Sequence, residues 1–365
     1  MMSRSLCQYA LVLGVATAMN LAVAQAPARP PVAALPPAAP QADAKPVDRS
    51  VSDWLMRLHE ASRRRAYAGT FVVSSASGSL ASARIWHVCD GDQQMERVES
   101  LTGTPRSTFR RNDQVVTFLP ESKVARAERR ESLGLFPNLL NASDSSIAEF
   151  YTARQLGSER VAGFEADVVQ LSPRDTLRFG YRIWSEKKSG LMVKLQTLDT
   201  EGRVLEQAAF SELQLDAPVR MDKLAQMMAA TEGYRMERPD LVKTTAAAEG
   251  WALKSPVAGF KPMSCYKRPV AGAAPAADTT MQWIFSDGLA SVSLFVEAYD
   301  RQRHGQEGLV AMGATQALSR RLPDGPGDKA GARGSDPAGG WWLTVVGEVP
   351  PQTLKAFAQS LERRK

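Results

Sequence analysis

The sequence predicts an α+β protein that consists mainly of antiparallel β-strands, with a large sheet domain followed by a small α+β domain. Consecutive strand patterns follow one another without intervening helices, which argues against a doubly wound parallel sheet and favours a large antiparallel sheet or an open barrel. A Thr- and Ala-rich linker at 239–249 then separates this region from a second group of strands that ends in a helix. The predicted strands of the large domain are 70–73, 83–88, 114–119, 166–171, 177–184, 191–198 and 204–213.

The first 47 residues do not have the pattern of a folded domain. Arg4 precedes the apolar run 11–23, which ends in the small residues Ala22-Val23-Ala24, as in a secretory signal peptide. We therefore predict a signal peptide at 1–24 and Gln25 as the first residue of the mature chain. The Pro- and Ala-rich segment 25–47 is too poor in large apolar residues to pack and is predicted to be a tether.

A helix and an apolar insertion accompany the strands of the large domain, which we place at 48–217. Ser50 and Asp53 have the spacing of a capping box, and the apolar residues that follow recur with helical spacing. The insertion at 133–151 is rich in Leu and Phe and is compatible with a helix. Such a helix either plugs the sheet as part of its core or forms a lid over an apolar cavity.

The second half of the chain is divided into a connection at 218–249 and a small domain at 250–365. Strand patterns at 250–253, 281–285, 289–299 and 341–346 predict one antiparallel sheet. Pro350-Pro351 then begins a helix in which Leu354, Phe357 and Leu361 share one face. The Gly-, Asp- and Pro-rich segment 323–340 is predicted to be a surface loop.

Composition argues against several classes of function. The 45 Lys+Arg and 39 Asp+Glu give a formal charge of 45 − 39 = +6, which is spread along the chain, whereas nucleic-acid-binding proteins concentrate it. His59-Glu60 resembles the start of a zinc-protease motif, but Arg63 stands where the second histidine belongs. Nucleophile elbows, phosphate-binding loops and dinucleotide fingerprints are missing from the sequence. We therefore predict no enzyme, no metal, no cofactor and no nucleic-acid partner.

Two cysteines, Cys89 and Cys265, would remain after removal of the signal peptide. An oxidising compartment would permit a disulfide between them. However, they lie in different predicted domains, and a disulfide requires Cα atoms within about 7 Å. The sequence therefore disfavours this disulfide but leaves it open.

The apolar strands, the apolar insertion at 133–151 and the clusters of arginine are together compatible with binding of an amphiphilic ligand that has an anionic head. Each feature by itself is more typical of an ordinary core or a solvated surface. The residues that we predict to line an apolar cavity and its lid are Phe71, Phe118, Leu135, Phe136, Leu139, Leu140, Phe179 and Tyr181.

Several motifs resemble those of the RseB/MucB family of envelope-stress regulators. In the large domain they are RVAGFEAD at 160–167, YRIW at 181–184 and DTEGRVLEQ at 199–207. In the small domain they are FSDGL at 285–289 and VGEVPPQT at 346–353. The resemblance extends in the same order over nearly all of 51–364, which makes it more specific than any single motif.

This resemblance implies an unclosed, lipoprotein-carrier-like β-barrel with a helical lid, followed by a small partner-binding domain. It implies a periplasmic protein that binds the periplasmic part of a single-span anti-sigma factor of the RseA/MucA kind and shields it from the site-one protease. Binding of a mislocalised lipoprotein or of lipopolysaccharide would release that protection and activate the sigma factor (sigma-E/AlgU).

The alternative is a periplasmic lipoprotein carrier or chaperone, which would need the cavity but not the small domain. For partner binding we consider strand addition at a sheet edge of the small domain or a groove beside Leu354, Phe357 and Leu361. Formation of a homo-oligomer is left open by the sequence.

Overall fold

The computed structural model describes residues 49–129, 147–238, 241–269, 279–322 and 340–364. The predicted signal peptide and tether lie outside the described residues, and so do most of the 133–151 insertion and of the 323–340 loop. The described helices are α1 (Val51–Arg64), α2 (Ile147–Phe150), α3 (Met221–Ala229) and α4 (Pro351–Ser360).

The large sheet contains twelve strands in the order β12-β6-β5-β4-β3-β2-β1-β11-β10-β9-β8-β7. Their bounds are β1 Tyr67–Ser75, β2 Leu80–Asp90, β3 Gln93–Ser100, β4 Ser107–Arg111, β5 Gln114–Leu119, β6 Val124–Arg129, β7 Tyr151–Val161, β8 Phe164–Pro173, β9 Gly180–Glu186, β10 Met192–Leu198, β11 Val204–Leu215 and β12 Arg235–Glu237. All neighbours are antiparallel except β12, which runs parallel to β6. Within the described residues the sheet has two ends, so the prediction of an unclosed, mainly antiparallel sheet is confirmed.

Five of these strands, β3, β4, β6, β7 and β12, were not predicted from the sequence. Their segments are rich in polar and charged residues, as in Ser107–Arg111 (STFRR). A strand with one face towards solvent needs apolar residues at alternate positions only. That alternation gives a weak signal in the short strands β4, β6 and β12, and also in the eleven-residue β7, where only Tyr151 is buried.

Helix α1 begins where the capping box predicts. The side chain of Ser50 accepts a hydrogen bond from the backbone N–H of Asp53, and the Asp53 carboxylate accepts one from the backbone N–H of Ser50. Trp54, Leu55 and Leu58 are buried in a core cluster that also contains residues of β8 and β9. The helix is therefore fixed by a local cap and by packing against one end of the large sheet.

The small domain is built on a seven-stranded antiparallel sheet in the order β13-β15-β16-β17-β20-β19-β18. Its strands are β13 Val242–Lys243, β15 Lys261–Pro269, β16 Thr279–Ser286, β17 Ser291–Ala298, β18 Gly308–Met312, β19 Thr315–Leu322 and β20 Trp341–Gly347. A separate two-stranded ribbon pairs β14 (Trp251–Leu253) with β21 (Leu361–Arg363). Helix α4 packs on β19 and β20.

The structure corrects one detail of the terminal helix. Leu361 is not helical, because its backbone is extended and it begins β21, where it pairs with Leu253. The chain passes from the large sheet to the small one between Glu237, the last residue of β12, and Val242, the first of β13. Cys89 on β2 and Cys265 on β15 are both free thiols.

Candidate functional site

The cavity residues predicted from the sequence do not meet in one place. Phe71, Phe118, Phe179 and Tyr181 are all buried. Phe71 packs with Phe210, Phe118 lies between Phe109 and Tyr234, and Tyr181 lies near Tyr151 in a third cluster. The predicted lid residues Leu135, Phe136, Leu139 and Leu140 lie outside the described residues.

Phe71 lines a partly open pocket of about 290 Å³ in the part of the large sheet formed by β1 to β4. Its apolar wall includes Ala83 and Val98, while Thr108 and Arg106 add polar groups. An apolar wall with a nearby guanidinium group can bind a short alkyl chain that carries an anionic head.

The three side chains proposed for partner binding lie in the core of the small domain. Leu354 and Phe357 are completely buried, and Leu361 is nearly so. The ring of Phe357 packs against Phe260 and Phe285, with centroids 5.6 and 4.9 Å apart. Because helix α4 turns its apolar face towards the sheet, these residues leave no groove for a partner, and that expectation is corrected.

Arg178, which the sequence analysis did not single out, joins the two domains. It lies just before β9, and its side chain is 0% exposed. Its Nε donates a 2.7 Å hydrogen bond to Oδ2 of Asp287, at the turn between β16 and β17. Its Nη2 donates a 2.8 Å hydrogen bond to the carbonyl of Ala258, and its Nη1 pairs with Asp175.

Aromatic rings and further donors complete the surroundings of this ion pair. The guanidinium carbon lies 4.2 Å from the ring centroid of Phe150 and 4.8 Å from that of Phe260. Oδ1 of Asp287 accepts the backbone N–H groups of Leu289 at 2.9 Å and Ala290 at 2.7 Å. A buried ion pair is tolerated when both charges are hydrogen-bonded in this way.

Backbone contacts reinforce the same junction. The hydroxyl of Thr353, in the first turn of α4, donates a 2.7 Å hydrogen bond to the carbonyl of Leu177. Gln352 donates to the carbonyl of Thr176. Gly259 has a φ of +78°, and a Cβ at this position would collide with Arg178 and with Phe150. The loop before β9 is therefore held by both the β16–β17 turn and the start of α4.

A second contact between the domains involves the turn between β18 and β19. The backbone N–H of Ala314 donates a hydrogen bond to the carboxylate of Glu206 on β11. Burial raises the pKa of Glu206, although this hydrogen bond opposes the shift. The two junctions connect the large sheet to the β16–β17 turn in the middle of the small sheet and to the β18–β19 turn at its edge.

The β2–β3 hairpin, which forms part of the pocket wall, also carries a buried ion pair. His87 and Glu96 are directly opposite each other, with Nδ1 and Oε1 3.0 Å apart. Burial by itself lowers the pKa of His87, but hydrogen bonds with the side chains of Cys89 and Glu96 and the charge on Glu96 raise it to about 9. His87 is therefore protonated at neutral pH in the folded protein.

This pKa predicts a pH-dependent contribution to stability. The folded pKa of about 9 lies above the ordinary histidine pKa of 6.5, so the contribution is complete below pH 6.5 and is lost as the pH rises through 9. We expect it to amount to about 3 kcal/mol of unfolding free energy. Urea unfolding from about pH 6 to 9.5 should show this decrease, and Glu96→Gln should reduce it. Glu99→Gln on the same strand is the control, and an unchanged slope in Glu96→Gln would contradict the assignment.

Within the described ranges, no group of three or more His, Cys, Asp or Glu side chains is arranged to hold a metal ion. Helices long and apolar enough to cross a membrane are likewise missing from the described part of the chain. The site consists of the small pocket beside Phe71, which has apolar and polar walls, and of the junction between the two sheets. The described residues thus form a two-domain, mainly antiparallel β protein.

Comparison with known proteins gives the family. The MucB/RseB N-terminal domain model matches residues 50–228, and the MucB/RseB C-terminal domain model matches residues 245–362. The chain belongs to the MucB/RseB family, so the resemblance inferred from its motifs is confirmed.

Curated relatives and solved structures match over both domains. The sigma factor AlgU regulatory protein MucB of Pseudomonas aeruginosa is 30% identical over 311 residues, covering 85% of this chain and 90% of MucB. The sigma-E factor regulatory protein RseB of Escherichia coli K12 is 21% identical over 313 residues, covering 84% and 89%. A crystal structure of MucB in complex with MucA(peri) matches with a TM-score of 0.64 and 27% identity, covering 86% and 99%.

Proposed function

We propose that this protein is a periplasmic negative regulator of an envelope-stress sigma factor. It binds the periplasmic part of a membrane-spanning anti-sigma factor and protects that part from the site-one protease. The observation that carries the proposal is the match of both domains to MucB, including its complex with MucA(peri). The predicted signal peptide at 1–24 supports the periplasmic location.

The ligand that relieves this inhibition is a lipid with an anionic head, either lipopolysaccharide or an acylated lipoprotein. The pocket beside Phe71 supports this part of the proposal, because it offers an apolar wall and the guanidinium group of Arg106. The junction around Arg178 and Asp287 supports a coupling between the lipid-binding domain and the small domain.

The competing function is a lipoprotein carrier or chaperone. A carrier requires only the pocket, whereas this chain also has a small domain joined to the large one through a buried ion pair. These contacts favour a protein in which binding of a ligand to one domain changes the affinity of the other domain for its own partner. A chain truncated at residue 239 would leave Arg178 without Asp287, so the two functions are better separated with the whole protein.

Calorimetric titration of the whole protein with the periplasmic domain of MucA and with a diacylated lipopeptide tests the proposal. We expect each ligand to weaken the binding of the other by the same factor, since coupling between sites is reciprocal. The factor should lie in the usual range of about 5 to 150. Lipopeptide binding without MucA binding would favour the carrier, and independent binding of both would contradict the regulator.

A substitution in the pocket distinguishes specific lipid binding from adsorption. Ala83→Phe fills the pocket beside Phe71 and should weaken lipopeptide binding by at least about tenfold. Ala127→Phe on β6 is the control, because Ala127 is half-buried but does not line this pocket.

A further inference from the structure

The small domain contains a second cavity, which is partly open and has a volume of about 580 Å³. We call it the ribbon cleft, because β14 of the two-stranded ribbon forms one of its walls. Strands β15 and β16 and the segment 243–247 form most of the others. It shares no described lining residue with the pocket beside Phe71. Its volume lies within the range of about 300–1,000 Å³ that is usual for sites that enclose one small molecule.

Aromatic rings line the inner part of the ribbon cleft. Trp251, Phe260 and Phe285 are 3%, 5% and 2% exposed, and all three belong to the core cluster of the small domain. Trp283 packs against Phe285, with ring centroids 4.6 Å apart. Because these rings are fixed by the core, the apolar wall is already formed before a ligand enters. An alkyl chain placed against it would be removed from water.

An irregularity of β15 shapes the cleft. Pro262 pairs with Phe285 and Ser264 pairs with Ile284, so Met263 is an extra residue between them. An extra residue of this kind bends the strand, and such bulges are frequent next to binding sites. Met263 lines the cleft and is 60% exposed. The bulge therefore adds a flexible apolar side chain, which can adapt to an alkyl chain, to the solvent-exposed part of the wall.

The charges around the ribbon cleft indicate the head group of its ligand. Among the described lining residues, Lys243 and Arg364 are the charged ones, and both are exposed. Burial, and after it the charge of Glu249, raises the pKa of the Cys265 thiol in the wall to about 11. Glu249 is itself paired with Lys267 at 3.1 Å. The two lining cations therefore favour an anionic group at the edge of the cleft.

We propose that the ribbon cleft binds an amphiphile with one alkyl chain and an anionic head, either a carboxylate or a phosphate. The chain lies against the aromatic rings, and the head lies beside Lys243 and Arg364. A purely apolar ligand would not use the two cations, and a purely ionic one would leave the rings in contact with water. The site is separate from the pocket beside Phe71, and the inference does not depend on the proposed regulatory function.

Two adjacent alanines provide a matched test. Ala247 lines the cleft, whereas Ala248 in the same turn does not, and both are exposed, so a larger side chain at either position is compatible with folding. The probe is dodecanoate below its micelle concentration, titrated by calorimetry into the whole protein. Ala247→Trp should weaken its binding at least about tenfold, and Ala248→Trp less than about twofold. Equal binding by both variants would overturn the proposal.

Opposite head groups on the same alkyl chain test the two cations. The unchanged protein should bind dodecanoate at least about tenfold more tightly than dodecyltrimethylammonium. Lys243→Gln combined with Arg364→Gln should remove most of this difference. Dodecyl phosphate then distinguishes the two anionic heads, because the tighter of the two anionic probes identifies the preferred one. Equal binding of the anionic and cationic amphiphiles by the unchanged protein would contradict the assignment of the head group.

The two free thiols report where the probe binds. Cys265 lines the ribbon cleft, whereas Cys89 does not. With dodecanoate at ten times its dissociation constant, alkylation of Cys265 by iodoacetamide at pH 9 should slow about tenfold, and that of Cys89 should stay within about twofold. Binding that survives in Ala247→Trp but is lost in Ala83→Phe would assign the probe to the pocket beside Phe71 and overturn the proposal. Failure of the unchanged protein to bind any of the anionic probes would also overturn it, while the test of the proposed function with MucA would be unaffected.

Discussion

Replacing Arg178 by methionine is expected to lower the free energy of unfolding by about 3–5 kcal/mol, because the Asp287 carboxylate would stay buried without its cation. Both side chains are 0% exposed, with Nε and Oδ2 2.7 Å apart. The substitution would also remove the hydrogen bond to the carbonyl of Ala258 and the contacts with Phe150 and Phe260. Urea unfolding of the whole protein measures the effect.

An ion pair of the same length whose arginine is exposed is the control. Arg203 Nε also lies 2.7 Å from a carboxylate oxygen, that of Asp199, but the Arg203 side chain is 72% exposed. Arg203→Met should therefore change stability little, since exposed pairs contribute little. Similar unfolding curves for Arg178→Met and Arg203→Met would show that burial does not strengthen the interdomain pair.

A double variant separates the ion pair from the remaining packing. Asp287→Asn alone should destabilise the protein, but Arg178→Met combined with Asp287→Asn should cost less than the sum of the two single changes. If the junction carries the coupling between ligand and partner, Arg178→Met should also reduce the mutual effect of lipopeptide and MucA. Loss of stability with unchanged coupling would restrict Arg178 to a structural role.

The second large effect is expected at Phe357. Its ring is fully buried and contacts two other aromatic rings, so Phe357→Ala should lower the free energy of unfolding by about 3–5 kcal/mol. Loss of partner binding should follow only because the small domain unfolds. Calorimetry and partner titration at a temperature where the variant is still folded distinguish these two causes.

Two further variants make this prediction specific. Lys355→Ala on the exposed side of α4 should leave stability nearly unchanged. Phe357→Leu should keep most of the packing and retain partner binding. If Phe357→Leu is as stable as the unchanged protein but no longer binds the partner, Phe357 contacts the partner directly. Its role would then not be limited to packing in the core of the small domain.

Sequence patterns could predict the burial and pairing of some residues of the candidate site but not of others. The pairing of His87 with Glu96 depends on a turn at Gly91-Asp92, because Asp90 pairs with Gln93. The Asp90-Gly91 turn signal lies one residue earlier, and a two-residue loop there would have paired His87 with Gln94. For Phe71, burial could be expected from alternation in β1, but its place in a pocket depends on four strands coming together.

Arg178 and β18 could not be recognised in this way. Arg178 lies within the segment 177–184 that the sequence predicts to be a strand, and its partner Asp287 is 109 residues away. The Gly308–Met312 segment is short, with no clear alternation, and its exposure depends on being the last strand of the sheet. Leu354 and Phe357 were correctly placed on one helical face, but whether that face met the core or solvent was not encoded in the periodicity.

By itself, the sequence determined the family, the mainly antiparallel fold, the cap of α1 and most of the longer strands. These features depend on hydrogen bonds, turns and apolar alternation within a few neighbouring residues, so local patterns suffice to predict them. Only the tertiary structure decided that Arg178 joins the domains, that the apolar face of α4 packs in the core of the small domain, and that β18 is the outer strand of its sheet. Those properties depend on which surfaces of two sheets meet, and contacts between residues so far apart in the chain leave no local periodicity in the sequence.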